Sequence, residues 1–196
     1  MPTGVAIRDP RQQLFDAAER ILLRDGPGAL TSRAVTAEAG CAKGVLHRHF
    51  ADFDAFLAEL VLARVARLDA VSGGLRAAAG TGSVTDHLTG ALAEVFDAVG
   101  VAVVSLVIAR DELRARLRAA GRPPGIPLLT EAAAVLAAYL AAERDLGRVA
   151  PGADPAVLAP TLLGAAHLLY ADRESPAPDA AAVRAVVTTV MASALR

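Results

Sequence analysis

Between Leu30 and Phe56 the chain reads LTSRAVTAEAGCAKGVLHRHFADFDAF, and this stretch restricts the fold more than any other. It predicts two short helices, residues 32–39 and about 42–49, joined by the tight turn Ala39-Gly40-Cys41. Gly40 supplies the backbone freedom that such a turn requires. Thr31 is a good N-cap for the first short helix. Val35, Cys41, Leu46 and Phe50 fall where the pair would face a preceding helix. Lys43, Gly44, His47 and Arg48 are then left exposed on the second.

The flanking sequence is helical as well. Asp9-Pro10-Arg11-Gln12 reads as a helix entry, with Asp9 as cap, Pro10 at the first helical position and Gln12 reaching back to the Asp9 amide. Leu14, Ala17, Ala18, Ile21 and Leu22 repeat at helical spacing, and Gly26-Pro27 ends the run. Residues 1–8 read as disordered. Asp52 caps a longer helix that continues to about Leu75. Further helices are expected over 84–99, 102–117, 127–146, from Asp154-Pro155 with a kink or delay at Pro160, and over 180–195 behind Asp179. No region alternates with period two. The predicted class is all-α with about nine helices. An N-terminal three-helix helix-turn-helix domain (1–52) precedes a C-terminal helical domain for ligand binding and dimerisation (53–196).

Composition narrows the chemistry. Hydrophobic residues make up 54% of the chain, aromatics only 4%, and the formal net charge is -1. Alanine and leucine favour helix over strand. With no global basic excess, any nucleic-acid contact has to come from a local patch. Residues 8–50 hold seven basic side chains (8, 11, 20, 24, 33, 43, 48) against five acidic ones (9, 16, 19, 25, 38), a modest excess. A single cysteine, Cys41, excludes an internal disulfide and fits a reducing cytoplasm. No leader peptide is expected. The longest uncharged run, residues 155–171, contains two prolines and His167, so no membrane span is expected. No nucleophile–base pair, phosphate loop or metal-ligand set stands out, so neither an enzyme, a cofactor nor a metal is expected. His47 and His49, two residues apart on a helix, point in different directions.

The Leu30–Phe56 stretch resembles the tetracycline-repressor (TetR) family. The likeness rests on Leu30-Thr31, Val35, Ala39-Gly40-Cys41-Ala42-Lys43-Gly44, Leu46-His47, His49-Phe50 and Leu57, about a quarter of the chain. It implies a two-fold symmetric homodimer on a palindromic DNA operator, usually as a repressor, with a cavity for a small effector in the C-terminal helices. By position, Thr31, Lys43, Gly44, His47 and His49 would take the family's phosphate-contacting roles. Arg33 and Arg48 would contact base or phosphate, with Ser32 and Ala42 beside them at the starts of the two short helices. Three positions depart from the family pattern. His47 replaces a tyrosine, Ala42 replaces a serine or threonine cap, and Phe53 stands where a lysine usually meets phosphate. Each weakens an anchor. They keep open the alternative of a helical small-molecule-binding dimer with weakened or lost operator binding.

For the effector, Phe96, Val103, Leu106, Val107, Arg110, Leu136, Tyr139 and His167 are the candidate lining, and the scarcity of aromatics suggests an apolar molecule. For the dimer, the resemblance implies a four-helix bundle of the last two helices and their twins. Leu158, Leu162, Leu163, Ala166, Val183, Val186, Val187 and Val190 are the candidate seam.

Overall fold

The computed structural model describes residues 9–171 and 176–195. The expected disorder of residues 1–8, and Arg8 with it, lies outside the described residues. Eleven α-helices follow in order: α1 (Pro10–Asp25), α2 (Ser32–Glu38), α3 (Gly44–His49), α4 (Phe53–Ala66), α5 (Leu68–Ala78), α6 (Val84–Val95), α7 (Ala98–Ala109), α8 (Asp111–Ala119), α9 (Leu129–Asp145), α10 (Pro155–Tyr170) and α11 (Ala180–Met191). Among the described residues no strand forms. An isolated bridge between Val149 and Leu195 is the one β-type contact among them. The all-α class is as expected, and the helix count is higher because two expected helices are broken.

The first break is at Arg67, where two i→i+3 bonds (Arg67 N–H to Arg64 O, 3.1 Å; Ala70 N–H to Arg67 O, 3.2 Å) interrupt the run from Asp52 and divide α4 from α5. The second is at Arg110. There Arg114 donates to the carbonyls of Val107 (2.6 Å) and Ile108 (2.7 Å), satisfying acceptors that the end of α7 leaves open. Between these breaks, α6 and α7 meet at an elbow of 61°. Asp97 leaves the helical region (φ -57, ψ 165) and caps α7 by accepting from the Gly100 amide at 2.7 Å. Gly100 is obligatory there, because a Cβ would lie 2.1 Å from the Val95 carbonyl oxygen. Pro160 does not delay α10, which runs through it. A proline in the second turn removes one backbone bond without stopping a helix already packed on its neighbours.

Two hydrophobic cores result. The first joins Leu14, Ile21 and Leu22 of α1, Val35 of α2, Leu46 of α3 and Phe56, Leu57, Leu60 and Val61 of α4 to Val103, Leu106 and Val107 of α7 and Leu113 and Leu117 of α8. The second lies among α5, α6, α9, α10 and α11. Helix α7 serves both, since its Val101 and Val104 belong to the second core. The division expected near residue 52 is therefore not a division of packing. The N-terminal helices bury their apolar faces partly against α7 and α8, which follow only after α4, α5 and α6 in the chain.

Candidate nucleic-acid interface

Helices α1, α2 and α3 form a compact head. Thr31 caps α2, its hydroxyl accepting from the Ala34 amide at 3.2 Å. Helix α2 closes with Gly40 at φ 64 and two reversed bonds, Gly40 N–H to Ala37 O and Cys41 N–H to Thr36 O, both 3.0 Å. This paired closure places a glycine in the left-handed region just past a helix end. Cys41 packs against the first core, and burial holds its thiol above the ordinary value, so it stays protonated. Helix α3 begins without a side-chain cap, as Ala42 leads one to expect, and carries His47, Arg48 and His49 in its last turn. Cations there complement the partial negative charge of a helix C-terminus.

Helix α3 is seated by its apolar side. Leu46 is fully buried, and Phe50 packs edge-on to Phe56 at 5.0 Å and against Phe15 at 5.8 Å. Arg11 of α1 clamps the end of this helix. It donates to the His49 carbonyl at 3.0 Å, stacks over the Phe50 ring at 4.5 Å and pairs with Glu59 of α4. Sequence reasoning missed this positioning role, because residues 11, 49 and 59 meet only when three helices are assembled.

What remains outward is the predicted set. Thr31, Arg33, Ala42, Lys43, Gly44, His47 and Arg48 are exposed, and Ser32 and His49 are half-buried. The Ser32 hydroxyl is buried without a hydrogen-bond partner. Around Gly44 nothing lies within 4 Å of where a Cβ would sit, so the backbone is open to close approach. The head's described cations, arginines and Lys43, divide into two groups. Arg11 pairs with Glu59, Arg20 with Glu38, and Arg24 with Asp25 and Glu38. Arg33, Lys43 and Arg48 have no acidic partner among the described residues. The charge available to phosphate therefore collects on α2 and α3, although the head as a whole is nearly balanced.

Two arginines tie this head to α7 and α8. Arg110 donates to the Leu30 carbonyl at 3.0 Å, just before α2, and lies 5.9 Å from the Phe53 ring. Its guanidinium is thus engaged with the head. Arg116 grips the Asp52 carboxylate with two bonds, 2.7 and 2.9 Å, while Asp52 caps α4 through the Ala55 amide at 2.6 Å. These contacts hold the Asp52 carboxyl below the ordinary carboxylate value, the Arg116 bond contributing most.

The other effector candidates are split between the cores. Val103, Leu106 and Val107 are fully buried in the first; Leu136 and Tyr139 are buried in the second, where the Tyr139 hydroxyl lies 2.9 Å from His87 Nδ1. Phe96 lines a cavity at the elbow, with His167 against its ring at 5.7 Å. Apolarity at helical spacing, the signal for Phe96, Val103, Leu106, Val107, Leu136 and Tyr139, does not separate core from cavity lining.

The residues of the expected dimer seam divide as well. Leu162, Leu163, Ala166, Val183 and Val187 are buried within the single chain, Leu158 and Val190 are half-buried against the same core, and Val186 is half-buried. The free face of α10 is instead Val157 (60% exposed) and Leu168 (76%), with Thr161 and Gly164 between them. Residues 157, 161, 164 and 168 share one stripe at helical spacing. No charged residue lies between Pro155 and Tyr170 to mark which side faces inward.

Comparison with known proteins agrees with this geometry. Residues 14–60 match the model of the bacterial regulatory proteins of the tetR family. The chain therefore carries the N-terminal domain of that family on a TetR-like, all-helical fold. A putative TetR-family transcriptional regulator from Mesorhizobium loti is similar at 19% identity, with 98% of this chain and 100% of that one covered and a TM-score of 0.69. The FadR regulator of Bacillus subtilis, solved with stearoyl-CoA, is similar at 15% identity, with 93% and 98% covered and a TM-score of 0.72. A TetR-family member from Streptomyces coelicolor A3 is similar at 26% identity, with 93% and 98% covered and a TM-score of 0.61. No protein among the curated sequences matches the chain. Among the described residues no single helix is long and apolar enough to cross a membrane.

Proposed function

We propose that the chain is a ligand-responsive DNA-binding regulator that represses from a palindromic operator as a homodimer. The observation that carries this reading is the group of cations without acidic partners among the described residues, Arg33, Lys43 and Arg48, beside the open Gly44 backbone on a head whose other described arginines are paired. Helix α3 enters the major groove. Lys43, His47, Arg48 and His49 meet phosphate or base edges, and the amino end of α2 at Thr31 and Ser32 approaches the backbone. One head makes too few contacts for specificity, so two heads about 34 Å apart read two half-sites. The Val157–Leu168 stripe of α10 is the surface that supports pairing of two chains. The stearoyl-CoA complex of the Bacillus subtilis relative supports a small-molecule effector for this fold.

The test is titration of the purified protein with duplex it selects from its own genome. The double variant Lys43→Ala/Arg48→Ala removes four cationic contacts from a dimer, and the slope of log K against log salt should fall by about 4. If Lys43→Glu/Arg48→Glu holds the same duplex as firmly as the parent, the reading is wrong. The second reading, a ligand-binding dimer with weakened operator binding, is favoured by the uncapped start of α3 and by Phe53, which packs on Phe56 at 5.7 Å where the family offers a lysine. The same titration separates the two, since the weakened protein would bind selected and random duplex alike.

A further inference from the structure

At the α6–α7 elbow lies a cavity of about 340 Å³, bounded by α1, by the elbow itself, by the end of α10 and by Ala177 and Pro178 ahead of α11. Its walls are mainly apolar: Leu23 of α1, Ala93, Phe96 and Val101, with the Tyr170 ring stacked on Phe96 at 5.5 Å. Among the described lining residues the charged one is Asp97, whose side chain is 46% exposed. Behind it Arg64, the 6%-exposed arginine of α4, donates to Asp97 Oδ1 at 2.5 Å and to the Glu94 carbonyl at 3.3 Å. The Gly100 amide takes the same oxygen. Among the described residues no donor is bound to Oδ2.

An apolar cavity with aromatic rings and one carboxylate suits an organic cation, which such rings attract through their faces and a carboxylate through charge. The surroundings agree in sign. Asp16 and Glu19 of α1, Glu94 of α6 and Asp97 face two guanidinium groups, those of Arg64 and Arg67. Among the described residues the corner holds these four carboxylates against two guanidinium groups, a field that favours a positive ligand.

We propose that this cavity is the effector site and that it takes an amphiphilic organic cation, with its apolar body against Leu23, Phe96, Val101 and Tyr170 and its ammonium group on Asp97. The proposal rests on the reading of the chain as a ligand-responsive regulator and names the chemistry of its ligand. It departs from the uncharged effector that the composition suggested. The site also explains how occupancy reaches the DNA head. Leu23 belongs to the helix whose Phe15 and Arg11 seat α3. Asp97 caps α7 and holds Arg64, at the C-terminal end of the helix that leaves the head. A cation on Asp97 competes with Arg64 for the carboxylate, while the ligand body wedges α1 away from α7. Both effects favour a different head orientation, and a ligand that prefers that orientation shifts the population towards it.

The test uses the full chain and two probes on one skeleton, 4-phenylbutylammonium and 4-phenylbutyrate, measured by calorimetry. The amine should bind saturably, one per chain, and at least about tenfold more tightly than the acid. Asp97→Asn keeps an oxygen for Gly100 and Arg64 but loses the charge, and should bring the two probes to within about twofold. Ala98→Trp fills the cavity from its rim and should abolish amine binding while denaturation shows a folded protein. Equal binding of the two probes by the parent, or unchanged amine binding in Ala98→Trp, overturns the site. Amine binding that behaves as stated in a protein that holds no duplex leaves the site standing and overturns the regulator reading instead.

Discussion

Replacing Gly100 by alanine should open the elbow on which the fold's two cores meet. The new Cβ would lie 2.1 Å from the Val95 carbonyl oxygen and 3.2 Å from the Arg64 guanidinium, whereas real Cβ atoms essentially never come within 3.0 Å of a neighbour. The obstacle is backbone, so α7 has to move by about 1 Å, an overpacking that costs about 1–3 kcal/mol. Alanine in a helix recovers about 1 kcal/mol relative to glycine. Loss of the Asp97 cap, whose acceptor holds the Gly100 amide, costs about the same. These two offset each other, and a net loss of about 1–3 kcal/mol remains from a total stability of about 5–15 kcal/mol. For a chain of this length that is a melting temperature lower by about 2–12 °C. Gly90, in α6, has nothing within 4 Å of its own would-be Cβ, so Gly90→Ala should stabilise by up to about 1 kcal/mol. Urea denaturation of the two variants beside the parent makes the comparison, with similar m-values showing that compactness is unchanged. If Gly100→Ala proves as stable as the parent, the elbow is not the rigid joint described.

Three further expectations follow from the same contacts. Leu168→Glu charges a 76%-exposed position on the α10 stripe and should leave a folded monomer by sedimentation; a dimer that persists would place the interface elsewhere. Glu19→Gln addresses a carboxyl that burial raises above its ordinary value, against the lowering effect of Arg67 and Arg64. A raised folded pKa gives stability that is complete below about pH 4 and is lost as pH rises through the folded value, so the variant should be the more stable protein at pH 7 and equal to the parent near pH 3. Asp52→Ala tests the opposite sign. Its carboxyl is depressed by Arg116 and by the cap of α4, so its contribution is present above about pH 4 and fades as pH falls below it, and thermal melts of parent and variant should converge on acidification.

Much of the N-terminal head was legible because its determinants are local. Asp9, Thr31, Asp52 and Asp179 were recognisable as caps, and each accepts a backbone amide in the following turn. Gly40 announced its turn because few other residues adopt φ 64 without strain. The exposure of Lys43, Gly44, His47 and Arg48 follows from placing Leu46 inward on a six-residue helix. Local signals also had limits. Gln12 was expected to reach back to the Asp9 amide and instead donates to Asp16 at 2.7 Å, and Arg116 pairs not with Glu112 four residues earlier but with Asp52.

Sequence alone determined that the chain is helical, where most helices begin, and which short stretch presents cations outward, since caps, glycine turns and helical periodicity act within a few residues. The tertiary structure decided which face of each apolar helix is inside, which arginines are neutralised, and where a cavity remains. Helices α7 and α10 are apolar on nearly every side, so their own residues hold no record of orientation, and only the positions of neighbours distant in sequence select one. That is why the burial of Leu162, Leu163 and Ala166 is decided only by their neighbours, and why Asp97, which lies inside a helix expected over 84–99, instead caps α7 with a carboxylate shared between an arginine of α4 and a cavity wall.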